Sequence, residues 1–192
     1  MRILLADDEA VIRMGLRAML EDLGHQVVGT ATDGKDAVWL ARTVNPELII
    51  LDIKMNGMDG LEAARQIMLQ RPTPVVMLTA YSQRELIEQA KAAWVFAYLV
   101  KPVREDMLGP TLELAAARFK EWQALQVEVK DLRKSLEIRE LVERAKHALM
   151  EQDGLTERQA YDKIHQQSRT RRISMQQVAE EILRRSPAPK RD

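Results

Sequence analysis

The 192-residue sequence contains no cysteine, which excludes disulfide bridges and sites built on a thiolate. Aromatic residues make up only 4% of it, and no apolar run approaches the roughly 20 residues that a membrane-spanning helix needs. The formal net charge is zero at pH 7, so overall charge gives no reason to expect a nucleic-acid partner. We therefore expect a chain without a membrane span, and the lack of cysteine favours a cytoplasmic location.

Short apolar segments alternate with amphipathic ones through the first part of the chain. Hydrophobic residues account for 46% of the sequence, enough for a packed core. Five such units predict an α/β domain over residues 1–120, with a doubly wound parallel sheet of strand order 2-1-3-4-5. The strands are expected at 2–6, 26–31, 47–51, 74–78 and 97–100, and the helices at 11–23, 34–44, 60–70, 82–93 and from about 104 onward.

Glycine and proline are both absent between Thr111 and Asp153. This stretch of strong helix formers predicts one long helix that continues the last helix of the first domain. We expect a homodimer through a coiled-coil linker at 112–138, and packing of the helix on its own domain is the alternative. The apolar residues that recur at spacings of three and four are Leu112, Ala115, Phe119, Trp122, Leu125, Val129, Leu132 and Leu136.

Two helix starts follow this long helix. Thr156 with Gln159, and Ser174 with Gln177, each have the pattern of a capping box. Helices at about 157–168 and 175–185 would close a small all-α three-helix bundle over 139–185, followed by a frayed tail at 186–192. The residues expected to face inward are Leu141, Val142, Ala145, Ala148, Leu149, Ala160, Tyr161, Ile164, Met175, Val178, Ala179, Ile182 and Leu183.

Three acidic side chains are expected to meet at one edge of the sheet. Asp7 and Asp8 end the first strand, and Asp52 ends the apolar run of the third. These strands are neighbours in the predicted order, and their carboxyl ends form the edge where open α/β sheets bind ligands. Packed carboxylates repel one another, and a hard cation with oxygen ligands relieves the repulsion, which points to Mg²⁺. The cation would leave Asp52 able to attack a phosphoryl group as a nucleophile.

The other strand ends supply groups that a transferred phosphoryl needs. Thr79 offers a hydroxyl after the fourth strand, and Lys101 offers an ammonium after the fifth, next to a proline that can take the cis form. Taken singly, each of these is an ordinary loop residue. Together, in chain order, the residues that resemble the receiver domain of two-component response regulators are Asp7-Asp8, Asp52, Thr79-Ala80 and Lys101-Pro102.

The receiver resemblance implies that a sensor histidine kinase phosphorylates Asp52. It implies that Asp8 and Asp52 bind Mg²⁺ directly, that Asp7 acts mainly through water, and that Lys54 contributes its backbone carbonyl. Such a chain is not an enzyme, although it can catalyse its own phosphorylation and dephosphorylation.

The resemblance also implies a conformational switch. Phosphorylated Asp52 would draw the Thr79 hydroxyl inward, and Tyr98 would turn into the space beside the small Ala80. An ordinary half-buried strand tyrosine is the alternative for Tyr98. Trp94 departs from the family, which usually has glycine at the turn before the fifth strand. A bulky residue in a left-handed conformation costs on the order of 1–2 kcal/mol, so we expect this turn to have rearranged.

Short motifs at compatible spacing run from Arg139 to Leu183. They are Glu143 to Lys146, Leu149-Met150, Gly154 to Glu157, Ala160-Tyr161, Ser168, Met175, Val178-Ala179 and Ile182-Leu183. They resemble the ANTAR domain of transcription antitermination regulators, and imply binding to paired RNA hairpins and phosphorylation-controlled antitermination. His147 stands where the family often has glycine, and Arg169 where it usually has methionine.

Five residues of this module are candidate RNA contacts, because loop bases stack on aromatic side chains and phosphates attract basic ones. They are Lys146, Tyr161, Arg169, Arg171 and Arg172. Tyr161 could equally lie in the core, and the arginines could equally form a solvated connection. A regulator that binds DNA or a partner protein through the bundle is the alternative function. Binding to DNA is disfavoured by Glu180 and Glu181 in the last helix, because their negative charges would repel the phosphates.

Overall fold

The computed structural model describes residues 1–80 and 95–185. The helix expected near 82–93, the turn at Trp94 and the tail at 186–192 lie outside the described residues. The chain divides into two compact units, Met1–Gln123 and Ala124–Asp192.

The first unit contains a five-stranded parallel sheet in the predicted order, β2-β1-β3-β4-β5. The third and fourth strands are fully buried, because helices cover both faces of the sheet. Both begin one residue later than predicted, so that Asp52 and Thr79 are their last residues. The strands are β1 (Arg2–Ala6), β2 (Gln26–Ala31), β3 (Leu48–Asp52), β4 (Val75–Thr79) and β5 (Ala97–Val100).

Four helices pack on or extend from this sheet among the described residues: α1 (Ala10–Asp22), α2 (Gly34–Val44), α3 (Gly60–Gln70) and α4 (Glu105–Asp153). Successive strand residues point to opposite faces, which divides the core in two. One core joins the sheet to α1 and the start of α4 through Leu16, Leu20, Leu108 and Leu112. The other joins it to α2 and α3 through Ala37, Ala41, Ala63 and Ile67.

The long helix predicted from the lack of glycine and proline is present, and α4 runs for 49 residues. We call the predicted set of apolar residues from Leu112 to Leu136 the α4 seam, and it divides into two parts. Leu112, Ala115 and Phe119 are buried in the receiver-like core and Trp122 packs against it, so the alternative reading holds for this part. The side chains of Leu125, Val129, Leu132 and Leu136 are exposed. Within the described residues, no helix combines the length and apolar character needed to cross a bilayer.

The second unit contains the end of α4 with α5 (Glu157–Arg171) and α6 (Met175–Arg185). Both predicted capping boxes are present: the Gln159 amide donates to Thr156 Oγ1 (3.4 Å), and the Gln177 amide donates to Ser174 Oγ (3.2 Å). The inward prediction for Tyr161 is wrong. Its side chain is 46% exposed, because Ala160 and Ile164 on the adjacent face of α5 make the core contact. The buried core consists of Val142, Ala145, Leu149, Ala160, Ile164, Val178 and Ala179.

Candidate functional site

Sheet register brings the acidic residues together. Ala6 pairs with Leu51, so Asp7 and Asp52 come next to each other at the carboxyl edge of β1 and β3. Carboxylate oxygens of Asp7, Asp8 and Asp52 all lie within 4.8 Å of one another. Such a set offers only oxygen ligands, which is the chemistry that Mg²⁺ prefers in proteins. The three carboxylates therefore come together as their strand positions predicted, and their chemistry fits a magnesium ion.

The loop after Asp52 closes tightly onto the strand. The Gly60 amide donates to the Ile53 carbonyl (2.9 Å), and Asp59 caps α3 by accepting from the Glu62 amide (2.8 Å). A Cβ on Gly60 would lie only 1.9 Å from the carbonyl oxygen of Asp52. Only glycine therefore allows α3 to begin at this distance from the aspartate.

Lys101 connects the fifth strand to the acidic cluster. Its Nζ lies 2.8 Å from Asp7 Oδ2, 3.1 Å from Asp52 Oδ2 and 3.8 Å from Glu9 Oε1. The Lys101 amide also donates to the Thr79 carbonyl (2.8 Å), which ties the ends of β5 and β4 together. The Lys101–Pro102 peptide bond is cis, as its sequence allowed.

The ionisation of these groups is coupled. Burial raises the pKa of Asp52, hydrogen bonding and charge from Lys101 oppose the rise, and the charges of Asp7 and Asp8 add to it. Burial acts to lower the pKa of Lys101, but its hydrogen bonds to Asp7 and Asp52 outweigh burial and raise it. Lys101 is therefore a fixed positive charge, whereas Asp52 is a carboxylate held in an environment that opposes its negative charge.

A cleft with a volume of about 350 Å³ opens above Asp52. A water molecule occupies about 30 Å³ in the liquid, so this volume suffices for a phosphoryl group together with a hydrated cation. The predicted Thr79 and Ala80 line the same cleft. Its residues are Asp8, Glu9, Asp52, Ile53, Lys54, Thr79, Ala80 and Lys101.

Two side chains at this site were not among the predicted residues. Asn56 donates from Nδ2 to Asp8 Oδ2 (3.2 Å), and Glu9 faces Lys101 from the edge of the cleft. The Asn56 position follows the third strand closely, so its place in the loop after Asp52 was the available signal. Asparagine is also a common turn residue, so the sequence alone gave no reason to assign Asn56 to the site.

Tyr98 lies on β5, half-buried against the core that contains α2 and α3. Its hydroxyl is buried and has no hydrogen-bond partner among the described residues. Burial raises the pKa of Tyr98, so the hydroxyl stays protonated. Within residues 1–80 and 95–185, the predicted switch residue therefore has a buried hydroxyl without a hydrogen-bond partner.

Two of the five candidate RNA contacts are engaged within the second unit. Lys146 is only 6% exposed, and its Nζ lies 2.7 Å from Glu157 Oε1 and 2.9 Å from Glu143 Oε2. Hydrogen bonding to Glu157, then to Glu143, raises the pKa of Lys146. Arg171 forms a two-bond contact with Glu181, at 2.5 and 2.9 Å. Lys146 and Arg171 thus join helices to one another.

The other three candidates are exposed. Arg169 and Tyr161 lie on the outer side of α5, and Arg172 caps the helix in a left-handed conformation with φ of 55°. Tyr161 is stacked with His165, a residue not predicted to matter. The spacing of four between the two aromatic rings was the signal that could have identified the pair.

Comparison with known families agrees with both parts of this description. Residues 3–113 match the response regulator receiver domain, and residues 130–183 match the ANTAR domain. The transcriptional regulatory protein PdtaR of Mycobacterium tuberculosis is 47% identical over 189 residues, covering 98% of this chain and 92% of the relative. The transcriptional regulatory protein YdfI of Bacillus subtilis is 34% identical over 115 residues, covering 59% of this chain and 54% of the relative.

Solved structures show the same fold for the first unit. The signal receiver domain of a modulated diguanylate cyclase from Desulfovibrio desulfuricans aligns with a TM-score of 0.58 and 32% identity, covering 62% of this chain and 94% of that one. The receiver domain of the response regulator NarL from Mycobacterium tuberculosis aligns with a TM-score of 0.56 and 29% identity, covering 59% and 94%. The sheet, the acidic cleft and the two family matches together establish that the chain is a response regulator in which an N-terminal receiver domain precedes an ANTAR output domain.

Proposed function

We propose that phosphorylation of Asp52 controls the binding of paired RNA hairpins by the ANTAR domain, and thereby transcription antitermination. The observation that carries this proposal is the convergence of Asp52, Asp7, Asp8 and Lys101 at one sheet edge, beneath a cleft large enough for a phosphoryl group. Lone acidic residues are common on protein surfaces, whereas this arrangement supplies a nucleophile, an all-oxygen ligand set and a fixed cation together.

The residues of the cleft have distinct roles in phosphoryl transfer. A carboxylate oxygen of Asp52 attacks the phosphorus of a phosphohistidine on a sensor histidine kinase. The phosphorus–nitrogen bond breaks, and its electron pair stays with the imidazole, which takes up a proton. Lys101, already 3.1 Å from Asp52, holds a charge that attracts the phosphoryl oxygens. The same groups would support self-catalysed phosphorylation from a small donor and later hydrolysis.

The acidic cluster would hold the metal, with Asp8 and Asp52 as direct ligands, Asp7 acting through water and the Lys54 backbone carbonyl as a further ligand. Bound Mg²⁺ would neutralise the charge of the transferred phosphoryl group. Asn56, which donates to Asp8, would hold that carboxylate in place.

The switch would use Thr79 and Tyr98. Thr79 lines the cleft at the end of β4, and its hydroxyl would donate to a phosphoryl oxygen on Asp52. Tyr98 would then move toward Ala80 and gain the hydrogen-bond partner that its hydroxyl lacks among the described residues.

A test of the phosphoryl acceptor uses acetyl phosphate as the donor, with intact-protein mass spectrometry as the readout. We expect one added phosphoryl group on the wild type with Mg²⁺, none with a chelator, and none on Asp52→Asn. Lys54→Ala is the matched control, because the proposal requires only the Lys54 backbone carbonyl. Unchanged modification of Asp52→Asn, or loss of modification in Lys54→Ala alone, contradicts these assignments.

We place the RNA contacts at Tyr161, Arg169 and Arg172. Their exposure supports this choice, since Lys146 and Arg171 would have to give up carboxylate partners before contacting phosphate. Phosphate contacts predict that RNA affinity falls steeply as salt rises. Tight binding to duplex DNA without a preference for hairpin RNA would instead favour the DNA-binding alternative.

We also propose a homodimer through the exposed residues of the α4 seam, from Leu125 to Leu136. Four apolar side chains at heptad-like spacing on a helix surface favour burial against a second copy. The proposed organisation is a receiver at 1–120, a coiled-coil linker at 112–138 and an ANTAR domain at 139–185. A cytoplasmic location, expected from the lack of cysteine, belongs to the same proposal.

A further inference from the structure

Two aromatic rings form a stacked pair on the outer face of α5. Tyr161 and His165 are one helical turn apart, their ring planes differ by only 9°, and their centroids are 6.1 Å apart. Because the two planes are nearly parallel, a base that stacks on an outer face of the pair would lie parallel to both rings. The Tyr161 ring is exposed and His165 is partly exposed, so the pair is not part of the buried core.

Basic side chains extend this pair along the same helix face. Arg158 lies three residues before Tyr161, and Arg169 lies four residues after His165, which are the spacings of neighbours on a helix surface. Both arginines are exposed, and neither has an ion-pair partner among the described residues, in contrast to Lys163, which is paired with Asp153.

We propose that Tyr161 and His165 form a two-ring platform on which unpaired loop bases of RNA stack, with Arg158 and Arg169 beside it contacting phosphate. The inference rests on the proposed RNA-binding function and adds His165 and Arg158 to its contacts. Bases inside a duplex have their faces covered by neighbouring bases, so such a platform selects the bases of a hairpin loop.

The charge on this face favours stacking as the main source of affinity. Asp162, next to Tyr161 in the chain, is also exposed and adds one negative charge to the exposed surface of α5. Aromatic faces accept every base, whereas the flanking arginines supply the attraction to the backbone. An apolar peptide would use the rings but would leave the exposed arginines unmatched, so nucleic acid fits the surface better.

The test uses the full chain after treatment with acetyl phosphate and Mg²⁺. A pool of RNAs with two hairpins that carry identical randomised loops is selected on the wild type, and the best binder becomes the probe. A second probe replaces its loop bases with abasic sites. Affinities are compared for His165→Leu, His165→Gln, His165→Phe and, as a control on a neighbouring exposed residue, Gln166→Leu, after circular dichroism has shown that each variant is folded.

We expect His165→Leu and His165→Gln to weaken binding of the intact probe about tenfold, within the range for loss of base stacking on an aromatic ring. His165→Phe and Gln166→Leu should stay within about twofold of the wild type. With the abasic probe, the variants and the wild type should bind alike. Equal weakening on both probes, or wild-type affinity in both non-aromatic variants, overturns the platform alone. Failure of the wild type to select any hairpin RNA overturns the proposed function as well.

Discussion

Gly60 determines how closely α3 approaches the strand that ends in Asp52. We expect Gly60→Ala to destabilise the receiver by about 3 kcal/mol or more and to impair phosphorylation, because the new Cβ would overlap the Asp52 carbonyl and push the loop away. Chemical denaturation and acetyl phosphate labelling measure the two effects.

Gly15 supplies the matched control for this prediction. It lies within α1 on an exposed position, and nothing is within 4 Å of where its Cβ would be. Gly15→Ala should therefore stabilise the chain by about 0.5–1 kcal/mol through helix propensity. If both substitutions changed stability by the same amount, close packing at Gly60 would not be the cause.

Lys146 joins two helices of the ANTAR domain from a buried position. We expect Lys146→Ala to destabilise this unit by about 1–2 kcal/mol, because the buried aliphatic stem loses its packing and two carboxylates lose their partner. Lys163, which forms an exposed pair with Asp153, is the control, and Lys163→Ala should cost less than about 0.5 kcal/mol. Equal losses of stability for the two variants in thermal unfolding would show that burial of Lys146 adds nothing to the stability of this unit.

At the scale of elements, α4 belongs to two environments. Phe119 packs edge-on against Phe96 with ring centroids 5.2 Å apart, and stacks with Trp122 at 5.6 Å. From Leu125 to Leu136 the apolar side chains have no such cover among the described residues. The first part of the seam therefore stabilises the receiver, and the second part is available for a partner helix.

The exposed part of the seam predicts a dimer that a single charge can break. Leu132→Lys should weaken self-association at least tenfold in sedimentation experiments while leaving the fold intact, because a lysine pair would replace a leucine pair in the seam. Val127→Lys is the control: Val127 is 61% exposed and Leu132 59% exposed, but Val127 lies off the seam. A monomeric wild type, or equal effects of the two variants, would refute the coiled coil.

The sequence predicted the elements whose residue patterns are set by neighbouring residues or by their position in the sheet. Buried strands that end in Asp52 and Thr79 are visible because parallel sheets require apolar runs, and ligand-binding polar groups follow them. Capping boxes are local in the same way. The division of the α4 seam was not predictable, because spacings of three and four are the same whether Phe119 faces its own domain or a second chain.

Side-chain partners were the other limit. Lys146 looked like a free cation in the sequence, and only folding brings Glu157 to it from eleven positions away. Tyr161 was placed inward by helical spacing, although Ala160 beside it takes the buried position. Ala160 and Tyr161 are adjacent in α5, so the rotation of the helix about its axis decides which of the two side chains is buried.

At the scale of the whole molecule, one helix belongs to both functional parts. α4 contributes Leu108 and Leu112 to the receiver core and Val142, Ala145 and Leu149 to the ANTAR core. We therefore expect that a change at the receiver that alters the start of α4, or the exposed residues from Leu125 to Leu136, affects the ANTAR unit. Coupling requires that the two phosphorylation states differ in RNA affinity, since a ligand shifts an equilibrium only through differential binding.

The most direct measurement compares RNA affinity before and after phosphorylation of Asp52, using the selected two-hairpin RNA at fixed salt. We predict that acetyl phosphate with Mg²⁺ raises the affinity of the wild type at least about fivefold, the lower end of typical coupling between sites. Asp52→Asn should keep the affinity of the unphosphorylated wild type under both conditions. Equal RNA affinity of phosphorylated and unphosphorylated wild type would contradict phosphorylation control, and an equal increase in Asp52→Asn would show that the control does not act through Asp52.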